Sequence, residues 1–109
     1  MDCLESDWKL FRKKIVKWQE YYMSGLVEQY IQLLNGPEDA PNKFWKLEKR
    51  IRKDKKNPGV IIEMRRSMML ANIISLIHNE VITVDDLQDF SDDLKNKASY
   101  ILKVVNEND

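Results

Sequence analysis

One cysteine, one histidine, three glycines and three prolines in 109 residues set the first limits. Cys3 has no second thiol with which to close an internal disulfide, so no covalent staple supports the fold and a reducing compartment suits it. His78 stands without a second His or a Cys at ligand spacing, which leaves neither a zinc site nor a His-based catalytic triad. Scarce Gly and Pro, with Lys, Glu, Leu, Ile and Asp abundant, disfavour a strand-rich fold and favour helices. Long apolar runs are missing too. The most hydrophobic stretch, Met68 to Ile77, is about half of the roughly 20 residues a bilayer span requires, and Arg65 and Arg66 abut it, so no membrane role is expected. Net charge is absent as well: 18 basic side chains balance 18 acidic ones, and no overall field draws the chain to nucleic acid or membrane. Nothing near the N-terminus has the basic-then-apolar pattern of a signal peptide, and the expected location is cytoplasmic.

What remains is 43% hydrophobic and 33% charged, enough for one modest core. The expected fold class is all-α: a small helical bundle of four to five helices, with a long N-terminal helix, a buried central helix, and residues 1–109 forming a single domain. No internal repeat or Gly/Ser linker divides the chain. Val60 to His78 is the element around which the rest is expected to wrap. Eight of the ten residues from Met68 to Ile77 are apolar, and at about 100° per residue they point in nearly every direction, as in a helix buried on all sides.

Ser6 or Asp7 is placed to cap a first helix, and Trp8, Phe11, Ile15, Trp18, Tyr22, Leu26, Tyr30 and Leu33 follow at spacings of three and four. That helix runs to about Leu34, where Asn35, Gly36 and Pro37 stop it. Its N-terminal half sets Lys9, Arg12, Lys13, Lys14 and Lys17 against the aromatic stripe. Its C-terminal half, LVEQYIQLL, is apolar on most sides and is expected to be the buried end. At about 1.5 Å per residue the helix is roughly 42 Å long, against a diameter of roughly 34 Å for a compact domain of this size. One end must project, or the helix must bend near Gly25. An aromatic stripe is costly to project into water, and a second chain covering Trp8, Phe11, Ile15, Trp18 and Tyr22 is the expected remedy.

Asp39 and Pro41 suit the start of a second helix over about 41–56, with Phe44, Leu47 and Ile51 on one face and cations over the rest. Asn57, Pro58 and Gly59 make a turn before the central helix. Beyond His78, Thr83 and Asp86 approximate a capping box, and Ile82 can close on Leu87 as a hydrophobic staple. Leu87, Phe90, Leu94, Ala98, Ile101 and Val105 continue at helical spacing. Ser91 can cap a fresh helix, giving a short helix and then a long one.

Charge is segregated along the chain. Residues 43–66 hold ten Lys or Arg against three acids, whereas residues 67–109 hold three against eight, so the two segments can pair with each other. The basic band Lys43 to Lys56, with Lys46, Lys49, Arg50 and Lys53, can alternatively track a phosphate backbone, although a charge run on a helix is ordinarily a solvated face. Arg65 and Arg66, near the start of a helix, oppose its dipole and call for a carboxylate or an anion nearby: Glu63, an acid of the first helix such as Glu20 or Glu28, or the Asp-rich segment. An anion pocket of the kind helical mutases use would require an acid–base pair that the sequence does not supply. Asp85, Asp86 and Asp89 spell the DDxxD pattern of magnesium-dependent isoprenoid synthases. Those enzymes are far larger and carry a second acidic motif, and acids in a first helical turn serve its dipole anyway. His78 is read as ending the central helix, where an imidazolium suits the carbonyl dipole.

The run LEKRIRKDKKNPGVIIEMRRSMM followed by VITVDDLQDFSDDL resembles small helical bacterial proteins of unassigned function. Across about residues 8–105 the resemblance implies an all-helical fold and a cytoplasmic bacterial setting, and it brings no catalytic residues. IISLIHNEVITVDDLQDFSDDL also resembles the helical hairpins of oligomerisation motifs and the first two helices of a helix-turn-helix. The expectation is therefore a non-enzymatic interaction protein without catalytic residue, metal or cofactor. It would be a homodimer formed through the aromatic first helix, or a protein that docks and regulates a partner there. Nucleic-acid binding through the basic band is the alternative.

Overall fold

The computed structural model describes residues 4–108, and Cys3 lies outside them. Four α-helices follow in order, α1 (Glu5–Leu34), α2 (Ala40–Asp54), α3 (Met69–His78) and α4 (Asp92–Asn108), with 3₁₀ turns at Arg66–Met68 and Val84–Leu87. No strand occurs among the described residues. The expected all-helical bundle is what forms. Its helices number four, because the segment opened by Thr83 closes into a 3₁₀ turn that ends as soon as Leu87 is buried.

Local chemistry sets most boundaries. Asp39 Oδ1 accepts from the Asn42 N–H at 3.1 Å, and Pro41 sits in the first turn of α2. The Thr83 N–H donates to Asp86 Oδ2 at 2.7 Å, the carboxylate half of the capping box. Ile82 and Leu87 both join the core, as a staple requires. Ser91 caps α4, its Oγ accepting from the Leu94 N–H at 3.1 Å. α1 departs from expectation at its start: Leu4 precedes it with no side-chain cap, because Asp7 turns its carboxylate toward Ser91 instead.

The core joins Phe11 and Ile15 of α1, Met69, Leu70, Ile73 and Leu76 of α3, the connecting residues Ile82, Leu87 and Phe90, and Leu94 and Ala98 of α4. Two expectations change. The central helix is shorter than Val60–His78: Val60 to Arg65 run without helix, and the Asn72 amide holds this strap by donating to the Glu63 carbonyl at 2.9 Å. Nor is α3 buried all round, since Ala71 is exposed and Ile74, Ser75 and Ile77 are half-buried. It is covered by α4, the N-terminal part of α1 and the connecting residues Ile82, Leu87 and Phe90.

The larger change is in α1, whose buried end is the N-terminal one. Of the C-terminal half only Leu26 is buried, while Val27, Ile31 and Leu34 remain 43–51% exposed. This half packs with α2, which buries no residue, so the two form a hairpin arm standing off the core. The molecule measures 52 × 32 × 21 Å, and its radius of gyration is 16.8 Å against about 13 Å for a compact domain of this length. α1 passes Gly25 unbroken. At the arm's base the Gln19 amide donates to the Pro58 carbonyl at 3.0 Å, and the Tyr22 ring lies where a Cβ on Gly59 would be, 2.4 Å away. Only glycine admits that ring.

Candidate functional surfaces

Where α1 and α2 meet, Tyr30 donates its hydroxyl to Asp54 Oδ2 at 2.6 Å. Arg50 Nε reaches the same carboxylate at 3.1 Å, and its guanidinium lies 5.9 Å from the Tyr30 ring centroid. Burial of the phenol, reinforced by its hydrogen bond to Asp54 and that carboxylate's charge, pushes the Tyr30 pKa up to about 12. This cluster locks the arm. It borders a cleft of about 550 Å³ lined by residues including Tyr21, Gln29, Lys53, Asn57 and Glu80. Glu80 has φ 60°, the left-handed region that glycine normally fills. It occupies the residue after the α3 cap, where the Val81 N–H bonds the Leu76 carbonyl at 2.9 Å and the Glu80 N–H bonds the Ile77 carbonyl at 3.0 Å. Those two bonds define a Schellman motif, and they account for the strained φ. The cleft mixes cations with carboxylates, and no side chain in it is an unpartnered buried polar group.

The five residues expected to meet a second chain are turned onto their own. Phe11 and Ile15 are 0% and 4% exposed, and Trp8 and Trp18 pack against the same core. Ring centroids run from Trp8 to Phe11 at 6.2 Å, Phe11 to Trp18 at 6.2 Å, and Trp18 to Phe90 at 6.4 Å. Tyr22 is half-buried against Gly59. The residues expected at an interface thus face the protein's own chain, with Phe11 and Ile15 buried in its core and Trp8, Trp18 and Tyr22 half-buried.

The basic residues do not form one patch. Arg50 faces α1; Lys46 pairs with Glu38; Lys49 and Lys53 lie exposed on α2. Arg65 and Arg66 lie on the strap, Arg65 beside Glu63 at 2.6 Å and Arg66 beside Glu5 at 2.5 Å. They thus find carboxylates, one of them from α1, but at Glu5 rather than Glu20 or Glu28. The acidic C-terminal segment meets α1 through Lys14 and Asp89 at 3.4 Å, while the α2 cations that pair do so with Glu38, Glu48 and Asp54. The ion pairs of α2 are thus made with its own acids and with Glu38 in the loop before it, as α2 stands out on the arm.

No protein-family model, curated protein or solved structure matches the chain. The likeness to helical bacterial proteins thus rests on the quoted sequence runs alone. Among the described residues no group of three or more His, Cys, Asp or Glu side chains converges on a metal position. Asp85, Asp86 and Asp89 do not share a helix face: Asp86 caps Thr83 and Asp89 faces Lys14. No helix among the described residues is long and apolar enough to cross a membrane.

Sequence reasoning missed two surfaces. One is the outer side of α1, where Val16, Met23, Val27, Ile31 and Leu34 are 43–63% exposed. Their spacings of seven, four, four and three keep them within about 80° on the helix, a seam roughly 27 Å long. The signal was in the sequence, as a second apolar stripe beside the aromatic one, and the more hydrophobic C-terminal half was assigned to the core instead. The other is the outward side of α2, where Phe44 and Trp45 stand 62% and 63% exposed with their rings edge to face at 5.0 Å.

Proposed function

We propose that the protein is a cytoplasmic helical interaction module whose primary activity is self-association through the outer face of α1. The observation that carries this reading is the exposed apolar seam Val16–Met23–Val27–Ile31–Leu34 on a 30-residue helix. Contiguous apolar surface of this kind is uncommon on a monomer and costs free energy until it is covered. Charge supports a second copy in antiparallel orientation. Exposed Lys9, Arg12, Lys13 and Lys17 flank the N-terminal end of the seam, while Glu20 and Glu28 flank its middle and C-terminal part. Antiparallel pairing sets the cations of one copy against the acids and the negative helix end of the other. Parallel pairing would stack like charges. The geometry offers an association surface, and the role we propose for it is non-enzymatic.

Light scattering coupled to size exclusion tests the reading. The expected result is a dimer at micromolar concentration that Met23→Glu with Val27→Glu converts to a monomer of unchanged helical content, both positions lying outside the core. A monomeric wild-type protein up to the millimolar range would overturn it.

A further inference from the structure

On α2 the residues Trp45, Lys49 and Arg52 recur at spacings of four and three, which sets them along one helix face over about 10 Å, and Lys56 follows in the turn just past the helix end. All four are exposed, and Lys46 and Lys53 flank them. The opposite face, half-buried at Lys43, Leu47, Arg50 and Asp54, is the one against α1. Both acids within α2 are already engaged, Asp54 by Tyr30 and Arg50, and Glu48 by Arg52 of this face. Lys49, Lys53 and Lys56 pair with no acid among the described residues. Trp45 stands at the head of this stripe, its indole braced edge-on by Phe44 and open to solvent.

We propose that this outward face of α2 binds single-stranded nucleic acid, with Lys49, Lys53 and Lys56 tracking backbone phosphates and Trp45 stacking on an unpaired base. The combination of a cationic track with an exposed aromatic platform is what single strands require, since every unstacked base offers a π-face while the phosphates supply the charge. A duplex keeps its bases stacked, so the indole has nothing to cover there. An anionic membrane calls for a broad apolar helix face to immerse, whereas here Trp45, with Phe44 beside it, stands at one end of a row of cations. The chain's zero net charge is no obstacle. At physiological salt charges more than about 8 Å away are largely screened, so a local surplus of cations acts on a ligand even where the whole chain is neutral.

The test is fluorescence anisotropy of a labelled 20-nucleotide oligo(dT) titrated with the full chain at two salt concentrations. The same sequence as a duplex and phosphatidylserine vesicles form parallel arms. Salt-sensitive binding of the single strand is expected, with a slope of log affinity on log salt of about −2 for three phosphates. Trp45→Ala should weaken it roughly tenfold or more at an unchanged slope. Lys49→Gln with Lys56→Gln should flatten the slope by about 1.4. Circular dichroism should be unaltered throughout, because none of these side chains is buried. Quenching of tryptophan emission on binding, lost in Trp45→Ala, gives a second readout on the unlabelled strand. Three results would overturn the proposal: no salt-sensitive binding of the strand, duplex binding as tight as single-strand binding and indifferent to Trp45→Ala, or binding to vesicles alone.

Discussion

Asp7 and Ser91 lie 84 residues apart and tie the first turn of α1 to the cap of α4. The Ser91 hydroxyl donates to Asp7 Oδ2 at 2.6 Å and the Ser91 N–H to Asp7 Oδ1 at 2.9 Å. Asp7 is 4% exposed. Because the Ser91 hydroxyl also accepts from the Leu94 N–H, one carboxylate positions the residue that starts the last helix. It lies near the positive ends of both α1 and α4.

Asp7→Ala should lower unfolding stability by about 3 kcal/mol, since two hydrogen bonds to a buried charge are lost and a Ser91 donor is stranded. Ser91→Ala should also destabilise, by removing the cap and one partner of the buried carboxylate. Urea denaturation of both single variants and the double variant gives the coupling. Strictly additive effects would mean that the two residues do not act as a unit.

Two exchanges of opposite kind should both stabilise. Gly25 lies inside α1 and an added Cβ there meets nothing within 4 Å, so Gly25→Ala gains helix propensity, about 0.5–1 kcal/mol. Glu80 sits at φ 60°, where glycine carries no Cβ penalty, and Glu80→Gly should gain about 1 kcal/mol. Each predicts a rise in melting temperature of a few degrees. A fall for Glu80→Gly would mean that its side chain makes a contact across the cleft that outweighs the backbone relief.

Alkaline pH should loosen the arm. Tyr30 ionises near pH 12 when folded, while an unfolded tyrosine ionises near 10. A raised folded pKa contributes stability that is complete below pH 10 and is lost as pH rises from 10 through 12. Absorbance titration should find one of the four tyrosines ionising last, and Tyr30→Phe should remove that step. If all four ionise together near pH 10 in folded protein, the contact with Asp54 is not made in solution.

How far the sequence foretold this depends on whether each signal was local or comparative. The caps at Asp39, Thr83 and Ser91 and the turn at Asn57–Gly59 were readable because a cap or turn depends on two to four adjacent residues. Deciding which half of α1 is buried was a comparison between two apolar stripes. Hydrophobic content favoured LVEQYIQLL, but the decision belonged to the partners, since α3 and α4 together cover Phe11 and Ile15 whereas α2 offers the C-terminal half only a half-buried face. The link between Asp7 and Ser91 was out of reach for a similar reason. Each reads as a plausible cap for its own helix, and only the fold shows that Asp7 serves the other one.

Ile15 and Ile31 decide which end of α1 holds the core, because they are the same residue type in the same helix. Ile15 is 4% exposed within the core and Ile31 is 45% exposed on the arm. Replacing either by Ala gains the same helix propensity, so that term cancels in the comparison. Ile15→Ala leaves a cavity among Phe11, Ile73 and their neighbours and should cost about 2–5 kcal/mol. Ile31→Ala removes a surface side chain and should change stability by less than about 0.5 kcal/mol. Because Ile31 also lies on the proposed self-association seam, both variants should be denatured at a concentration where light scattering shows monomers. If Ile31→Ala is the more destabilising under those conditions, the buried end of α1 is its C-terminal half, and the arm is not the free-standing hairpin described.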